Sequence, residues 1–265
     1  MQIVSVFEAG RTDRRAADTR QDLRPLDEIY TAYFRVDEAC DPASVLECLK
    51  IRHSVYCVEN SYETDTPRVG DYESDEYDDR AKHASLRHVQ SDIPVGTVRM
   101  IYPRFDVPRE SFVFQRFLDW NVHREADCYP VMSTGEISRF CVTRSFRRSL
   151  QDARNANCAP GTDRFSDEFL RILPHMTLGL IEWLVRVSVR DRLSHWCALM
   201  EPALLRLLSR IGIHFQPIGG LVEFHGMRQP CVAELAPMLD RMYRERSDIW
   251  CVVTANGAHR AALRA

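Results

Sequence analysis

The sequence has no apolar run near the roughly 18 residues that a membrane-spanning helix requires. Its first residues, Met1 to Arg20, turn charged after a short apolar start and lack the apolar stretch of a signal peptide, so the expected location is cytoplasmic. Basic surplus is also missing: 35 Lys and Arg against 38 Asp and Glu give a net charge of -3, which offers no footprint for nucleic acid. No Cys-x-x-Cys pair occurs. The cysteines are odd in number (Cys40, Cys48, Cys57, Cys128, Cys141, Cys158, Cys197, Cys231 and Cys251), which excludes a simple disulfide framework and a structural zinc site. His-x-x-x-His spacing is absent too, so no metal is expected. What remains, 45% hydrophobic and 28% charged residues in a chain of 265, is ordinary for a soluble globular protein.

Residues 1–27 are polar and charge-mixed and read as a loose arm, leaving 28–265 as a single domain. Ile29 to Val36 reads as a first strand. Asp41-Pro42 is a helix start, a cap followed by proline at the first helical position, with Val45, Leu46, Leu49 and Val55 recurring at helical spacing up to about Glu59. Residues 60–80 form an acidic loop. A hairpin follows, His83 to Val89 and Pro94 to Tyr102, turning at Ser91-Asp92. A short helix is expected within 108–120, a strand over Glu136 to Thr143, and a long loop over Ser145 to about Asp167. Then come a helix from Pro174 to about Asp191, a strand Ser194 to Met200 and a helix Pro202 to Ile211 closed by Gly212. Strands within Phe215 to Phe224 and Cys231 to Leu235 precede a last helix, Pro237 to about Arg246. Antiparallel strands followed by β-α-β crossovers make an α/β fold, a mixed, mostly antiparallel sheet with helices on both faces.

The stretch Gly135-Glu136-Ile137-Ser138-Arg139-Phe140-Cys141-Val142 puts an acid, a hydroxyl and a base inside an otherwise apolar strand. Strand alternation places Glu136, Ser138 and Phe140 on one face and Ile137, Arg139 and Cys141 on the other. Charges there are costly unless paired or used. The bland alternatives are an ion pair of Glu136 with Arg99 and solvated loop acids at Asp75 and Asp78. His195 and Trp196 read most simply as core, and Glu201-Pro202 as a helix start.

Several segments in order carry a resemblance. Arg52-x-x-Val55-Tyr56 resembles the Arg-x-x-Val-Phe of the autoinducer (acyl-homoserine-lactone) synthases within the GNAT-like acyltransferase superfamily. Tyr62 stands where those synthases have tryptophan. Glu73-x-Asp75-x-Tyr77-Asp78 resembles their paired aspartates, Gly96-Thr97-Val98-Arg99 their Gly-x-x-Arg, and Glu136-Ile137-Ser138-Arg139-Phe140 their Glu-x-Ser-Arg-Phe. Over residues 29–256 the chain more closely resembles the acyltransferases associated with PEP-CTERM/exosortase systems, through Arg52 to Glu63, Asp75 to His83, Glu136 to Arg148, His195 to Leu204 and His225 to Pro230.

The resemblance implies a GNAT-like fold and transfer of a fatty acyl group from an acyl-carrier-protein or acyl-CoA thioester to a small-molecule amine, with no tightly bound cofactor. It implies catalytic roles for Glu136, Ser138 and Arg139, Glu136 as base. Arg52, Tyr56, Tyr62, Asp75, Asp78, Arg99 and Phe140 would hold the acceptor. The donor would lie along Cys141, Val142 and Thr143, with backbone N–H groups of residues 140–144 as oxyanion donors and Arg144, Arg147 and Arg148 as cations. Ordinary GNAT enzymes cradle a diphosphate on a glycine-rich turn after this strand. No glycine occurs here between Glu136 and Gly161, which favours a carrier-protein donor. Met176, Leu180 and Trp183 are candidates to line an acyl tunnel. The rivals are a homoserine-lactone synthase using S-adenosylmethionine and a non-catalytic relative that binds an acyl carrier.

Overall fold

A computed structural model describes residues 24–59, 70–117, 129–144, 146, 148 and 167–260. Eight strands form one sheet in the order β1-β2-β3-β4-β5-β8-β6, with β7 also paired to β8. They are β1 Phe34–Ala39, β2 Ala81–His88, β3 Ile93–Ile101, β4 Thr134–Val142, β5 His195–Met200, β6 Gln216–Pro217, β7 Val222–Glu223 and β8 Met227–Glu234. Every pairing is antiparallel except β4 with β5. The expected mixed, mostly antiparallel α/β sheet is therefore present.

Helices cover both faces. On one, α2 (Pro42–His53) packs against β1, β2 and β3. Its start is the one expected: Asp41 accepts from Ala43 N–H at 2.9 Å and Ser44 N–H at 3.1 Å, and Pro42 fills the first helical position. The helix then widens into a π-helical stretch, Ser54–Glu59. On the other face α4 (Leu178–Arg190) buries Leu180, Trp183, Leu184 and Val187. Alternation along β3 divides the layers. Val98 and Met100 enter the main core below α4, whereas Thr97 and Arg99 face α2.

The first strand begins later than expected. Leu26, Ile29, Tyr30 and Tyr33 fall at helical spacing, and the chain forms α1 (Leu26–Tyr33) before β1. Tyr30 fixes this helix to α4: its hydroxyl donates to Met176 C=O at 2.6 Å and accepts from Gly179 N–H at 2.7 Å. Pro174 lies in a 3₁₀ turn, Leu173–His175, so the long helix starts at Leu178. A short helix, α3 (Asp167–Ile172), precedes that turn. α5 (Pro202–Arg210) and α6 (Leu235–Glu245) match expectation; α7 (Ser247–Val253) adds a buried apolar face, Ile249, Val252 and Val253. The short helix expected within 108–120 takes 3₁₀ form, in two pieces, Pro108–Glu110 and Val113–Phe117. No single helix among the described residues is long and apolar enough to cross a membrane.

Gly96 on β3 lies tight against the β4 backbone. A Cβ there would lie 2.6 Å from Cys141 O and 3.1 Å from Val142 Cγ2. The neighbour is backbone, which has no rotamer to change. Gly96→Ala is expected to cost about 1–3 kcal/mol, read from urea denaturation midpoints. A wild-type midpoint would mean that the two strands part there without strain.

Candidate active site

The site forms where β4 and β5 separate. They pair only from Thr134↔His195 to Glu136↔Cys197 and then diverge. On its other side β4 stays on β3, but Thr97 pairs with Cys141 and Arg99 with Ser138, so Val98 faces two residues, Arg139 and Phe140. This is a β-bulge. Arg139 takes φ +51°, a left-handed conformation uncommon outside glycine. The bulge overturns the expected alternation: Arg139 joins Glu136 and Ser138 on one face.

The gap holds a cavity of ≈ 210 Å³ bordered by both faces of the sheet. Toward α4 and α5 its wall is apolar: Ile181, Leu184, Leu204, Leu208, Ile213 and Phe215. Toward α2 it meets Arg99, Glu136, Ser138 and Arg139. Met176, Leu180 and Trp183, the expected tunnel residues, are fully buried core and do not border the cavity; their neighbours Ile181 and Leu184 do.

Glu136 is 2% exposed. Its Oε2 accepts from Val113 N–H at 2.6 Å, and no cation lies in ion-pair range among the described residues. The pairing with Arg99, the bland alternative, is absent. Burial raises its pKa to about 7, outweighing the Val113 hydrogen bond and the more distant Arg99 and Arg80.

Arg99 belongs to a network instead. Its Nη1 donates to Asp75 Oδ1 at 2.5 Å and Asp78 Oδ1 at 2.7 Å, and its Nε donates to Ser138 Oγ at 2.9 Å. Arg52 donates to Glu73 and, at 2.6 Å, to Asp78 Oδ1. Arg139 donates to Glu73 Oε1 at 2.9 Å and Asp75 Oδ2 at 3.2 Å, with its guanidinium 5.4 Å from the Tyr56 ring centre. Arg52 and Arg99 are fully buried. Three arginines thus face three acids. The picture of solvated loop acids at Asp75 and Asp78 is corrected, because both are held inside this network. Burial alone would raise the carboxyl pKa of Glu73, but Arg139 and Arg52 bring it down to about 2. Asp78 is depressed as well, its burial outweighed by Arg52 and Arg99. His83 lies beside them, its Nε2 3.6 Å from Asp78 Oδ1; burial lowers its pKa to about 4 and keeps it neutral. Glu73 was missed as a site residue although its motif was legible, because a single sequence does not show which acid of a run is buried.

Arg52, Asp75, Asp78, Arg99, Ser138 and Arg139 therefore converge. Tyr56, Phe140, Cys141 and Val142 border the cavity. Two of the expected oxyanion donors are committed elsewhere: Thr143 N–H to Val95 O at 2.9 Å and Arg144 N–H to Glu59 Oε1 at 2.9 Å. The Arg144 guanidinium also donates to Glu59 C=O at 3.2 Å, so it is not simply a solvated cation. Arg148 is exposed. Tyr62 and Arg147 lie outside the described residues. Trp196 is packed as core, its indole N–H on Ser188 Oγ at 2.8 Å, but it also borders the cavity. His225 and Arg228 border the cavity too, and Arg228 pairs with Glu201 at 2.6 Å.

A search of curated protein sequences finds no match. Among solved structures the fold matches TofI, crystallised in a ternary complex with an inhibitor and MTA, at 18% identity over 80% of this chain and 95% of that one, TM-score 0.52. It matches BjaI, a CoA-dependent acyl-homoserine lactone synthase solved with SAM and isopentyl-CoA, at 15% identity over 84% and 99%, TM-score 0.51. The AHL synthase LasI follows at 17% identity over 76% and 88%, TM-score 0.50. Residues 51–154 match the acetyltransferase (GNAT) domain family, a span that includes every member of the charged network and Glu136. Residues 51–154 therefore match a GNAT acetyltransferase domain, within a fold similar to that of solved acyl-homoserine-lactone synthases.

Proposed function

We propose that this protein is an N-acyltransferase that moves a fatty acyl group from a thioester to an amine. The observation that carries the reading is the passage between β4 and β5: an apolar chamber on one face meets a buried carboxyl with a pKa near 7 on the other. The acyl chain would occupy the chamber lined by Ile181, Leu184, Leu204 and Leu208, with the thioester carbon at the gap. The amine nitrogen attacks that carbon, the C–N bond forms and the C–S bond breaks. Glu136 takes the proton from nitrogen and then gives it up to the departing thiolate, directly or through solvent, so that the leaving group ends as a thiol. A pKa near the working pH suits a base that is unprotonated before attack and able to release its proton afterwards. Arg99 and Arg139, held by Asp75, Asp78 and Glu73, would fix Ser138 and the acceptor's polar groups.

The donor in this reading is an acyl carrier protein. A CoA-dependent neighbour shares the fold, so the fold alone does not choose. Two features support the carrier protein: the glycine-free stretch after Glu136, and the Glu59 carboxylate seated on Arg144 N–H, where an incoming phosphate would compete with it. A PEP-CTERM/exosortase setting and a cytoplasmic location are supported by the sequence alone.

Incubation with acyl-carrier and acyl-CoA thioesters and a panel of amines, read by mass spectrometry, tests both levels. The expected result is an amide, formed faster from the carrier thioester and more slowly as salt screens the carrier's acidic surface. Preference for acyl-CoA overturns the donor assignment. No amide from any pair overturns the reaction.

A further inference from the structure

Apolar surface also faces the cavity on the Glu136 side of the sheet. Val113, Leu199 and Phe224 border it and belong to a second core cluster, separate from the acyl-chamber residues. Val113 is adjacent to the carboxyl, since its N–H bonds Glu136. Leu199 and Phe224 are only half-buried, so part of each side chain is open to a ligand.

The wall is held in place. The Phe224 ring packs edge-on to His225 at 4.5 Å and against Phe117 at 5.4 Å between ring centres. Arg228 ties the turn between β7 and β8 to α5: it donates to Phe224 O at 3.2 Å and His225 O at 2.9 Å, and pairs with Glu201 at the start of α5. His225 and Gly226, at φ +50° and +95°, make the turn.

The ion pairs described on this face match three arginines with three acids and Arg228 with Glu201, which leaves Glu136 as the carboxyl with no cation in ion-pair range among the described residues. An amine nitrogen can be met at Glu136, whereas the rest of the acceptor meets arginines and acids already paired with one another and the apolar side chains of this wall. We propose that the acceptor is a primary amine with an alkyl or aryl body, seated against Val113, Leu199 and Phe224, and that Phe224 is the specificity-determining residue. Burying that body removes apolar area from water and directs the amine toward Glu136. The proposal rests on the N-acyltransferase reading but concerns binding, which is measured without turnover.

Titration calorimetry of 2-phenylethylamine and ethanolamine against wild type and Phe224→Ala tests it. Wild type is expected to bind 2-phenylethylamine at least about tenfold more tightly than ethanolamine. Phe224→Ala is expected to lose that preference, and Phe224→Leu to recover part of it with unchanged circular dichroism. Equal binding of the two amines by wild type overturns the proposal, as does a preference that survives in Phe224→Ala. Preferential binding with no amide product supports the proposal and sinks the reaction instead.

Discussion

Glu136→Gln lowers turnover by about 100-fold or more while the chain keeps its fold. The amide fills the same volume and its oxygen still accepts from Val113 N–H, but it takes no proton. The wild-type rate is expected to climb as pH rises through about 7, and the variant to lack that limb. Stability separates in the opposite sense. The folded chain binds this proton more tightly than the unfolded chain, whose carboxyl titrates near 4.5. The resulting stabilisation is complete below that value and is lost as pH rises through about 7. Glutamine has no such loss. Between about pH 4.5 and 8, wild type therefore falls by about 3 kcal/mol relative to Glu136→Gln, measured by urea denaturation. Unchanged turnover in a folded variant removes Glu136 as the base; a stability difference flat with pH contradicts its burial as a raised carboxyl.

Glu73→Gln destabilises the chain by about 3–5 kcal/mol at neutral pH, because it leaves Arg52 and Arg139 buried with one countercharge fewer. Breaking one side of a buried pair exposes the desolvation cost of the other. In wild type the depressed carboxyl contributes stability above its ordinary value near 4.5, and that contribution drains away as pH falls through about 2. Acid unfolding of the variant is expected to be shallower in that window. Asp78→Asn behaves similarly, contrary to what an exposed acidic loop implies. A loss under about 1 kcal/mol for Glu73→Gln would give this network the weight of a surface pair.

Much of this site was legible because its residues fall in short ordered motifs. Arg52, Asp75, Asp78, Arg99, Glu136, Ser138 and Arg139 occupy compatible spacings, and hairpin, crossover and cap signals placed them on the right elements. Three things were not legible. Ile29 and Tyr30 are β-formers that compete with the helical spacing of Leu26, Ile29, Tyr30 and Tyr33, and docking of Tyr30 against the start of α4 settles the competition for the helix. The β4 bulge has no local signal, since a non-glycine residue at φ +51° is stabilised by partners distant in sequence. The acyl-chamber wall depends on which apolar residues of α4 face a gap in the sheet: Leu180 and Ile181 are alike in composition, and tertiary geometry alone tells them apart.

The left-handed backbone at Arg139 has a consequence for the order of assembly. That conformation costs of order 1–3 kcal/mol unless surrounding structure holds it. Its holders, Glu73 and Asp75, arrive from a segment more than sixty residues earlier. The β2–β3 hairpin closes through local contacts and β4 pairs with it on both sides of the bulge, whereas the side-chain partners of Arg139 come with the acidic segment. The mouth between β4 and β5 is thus expected to be a late-forming part of the molecule, completed by charge after the apolar layers have closed.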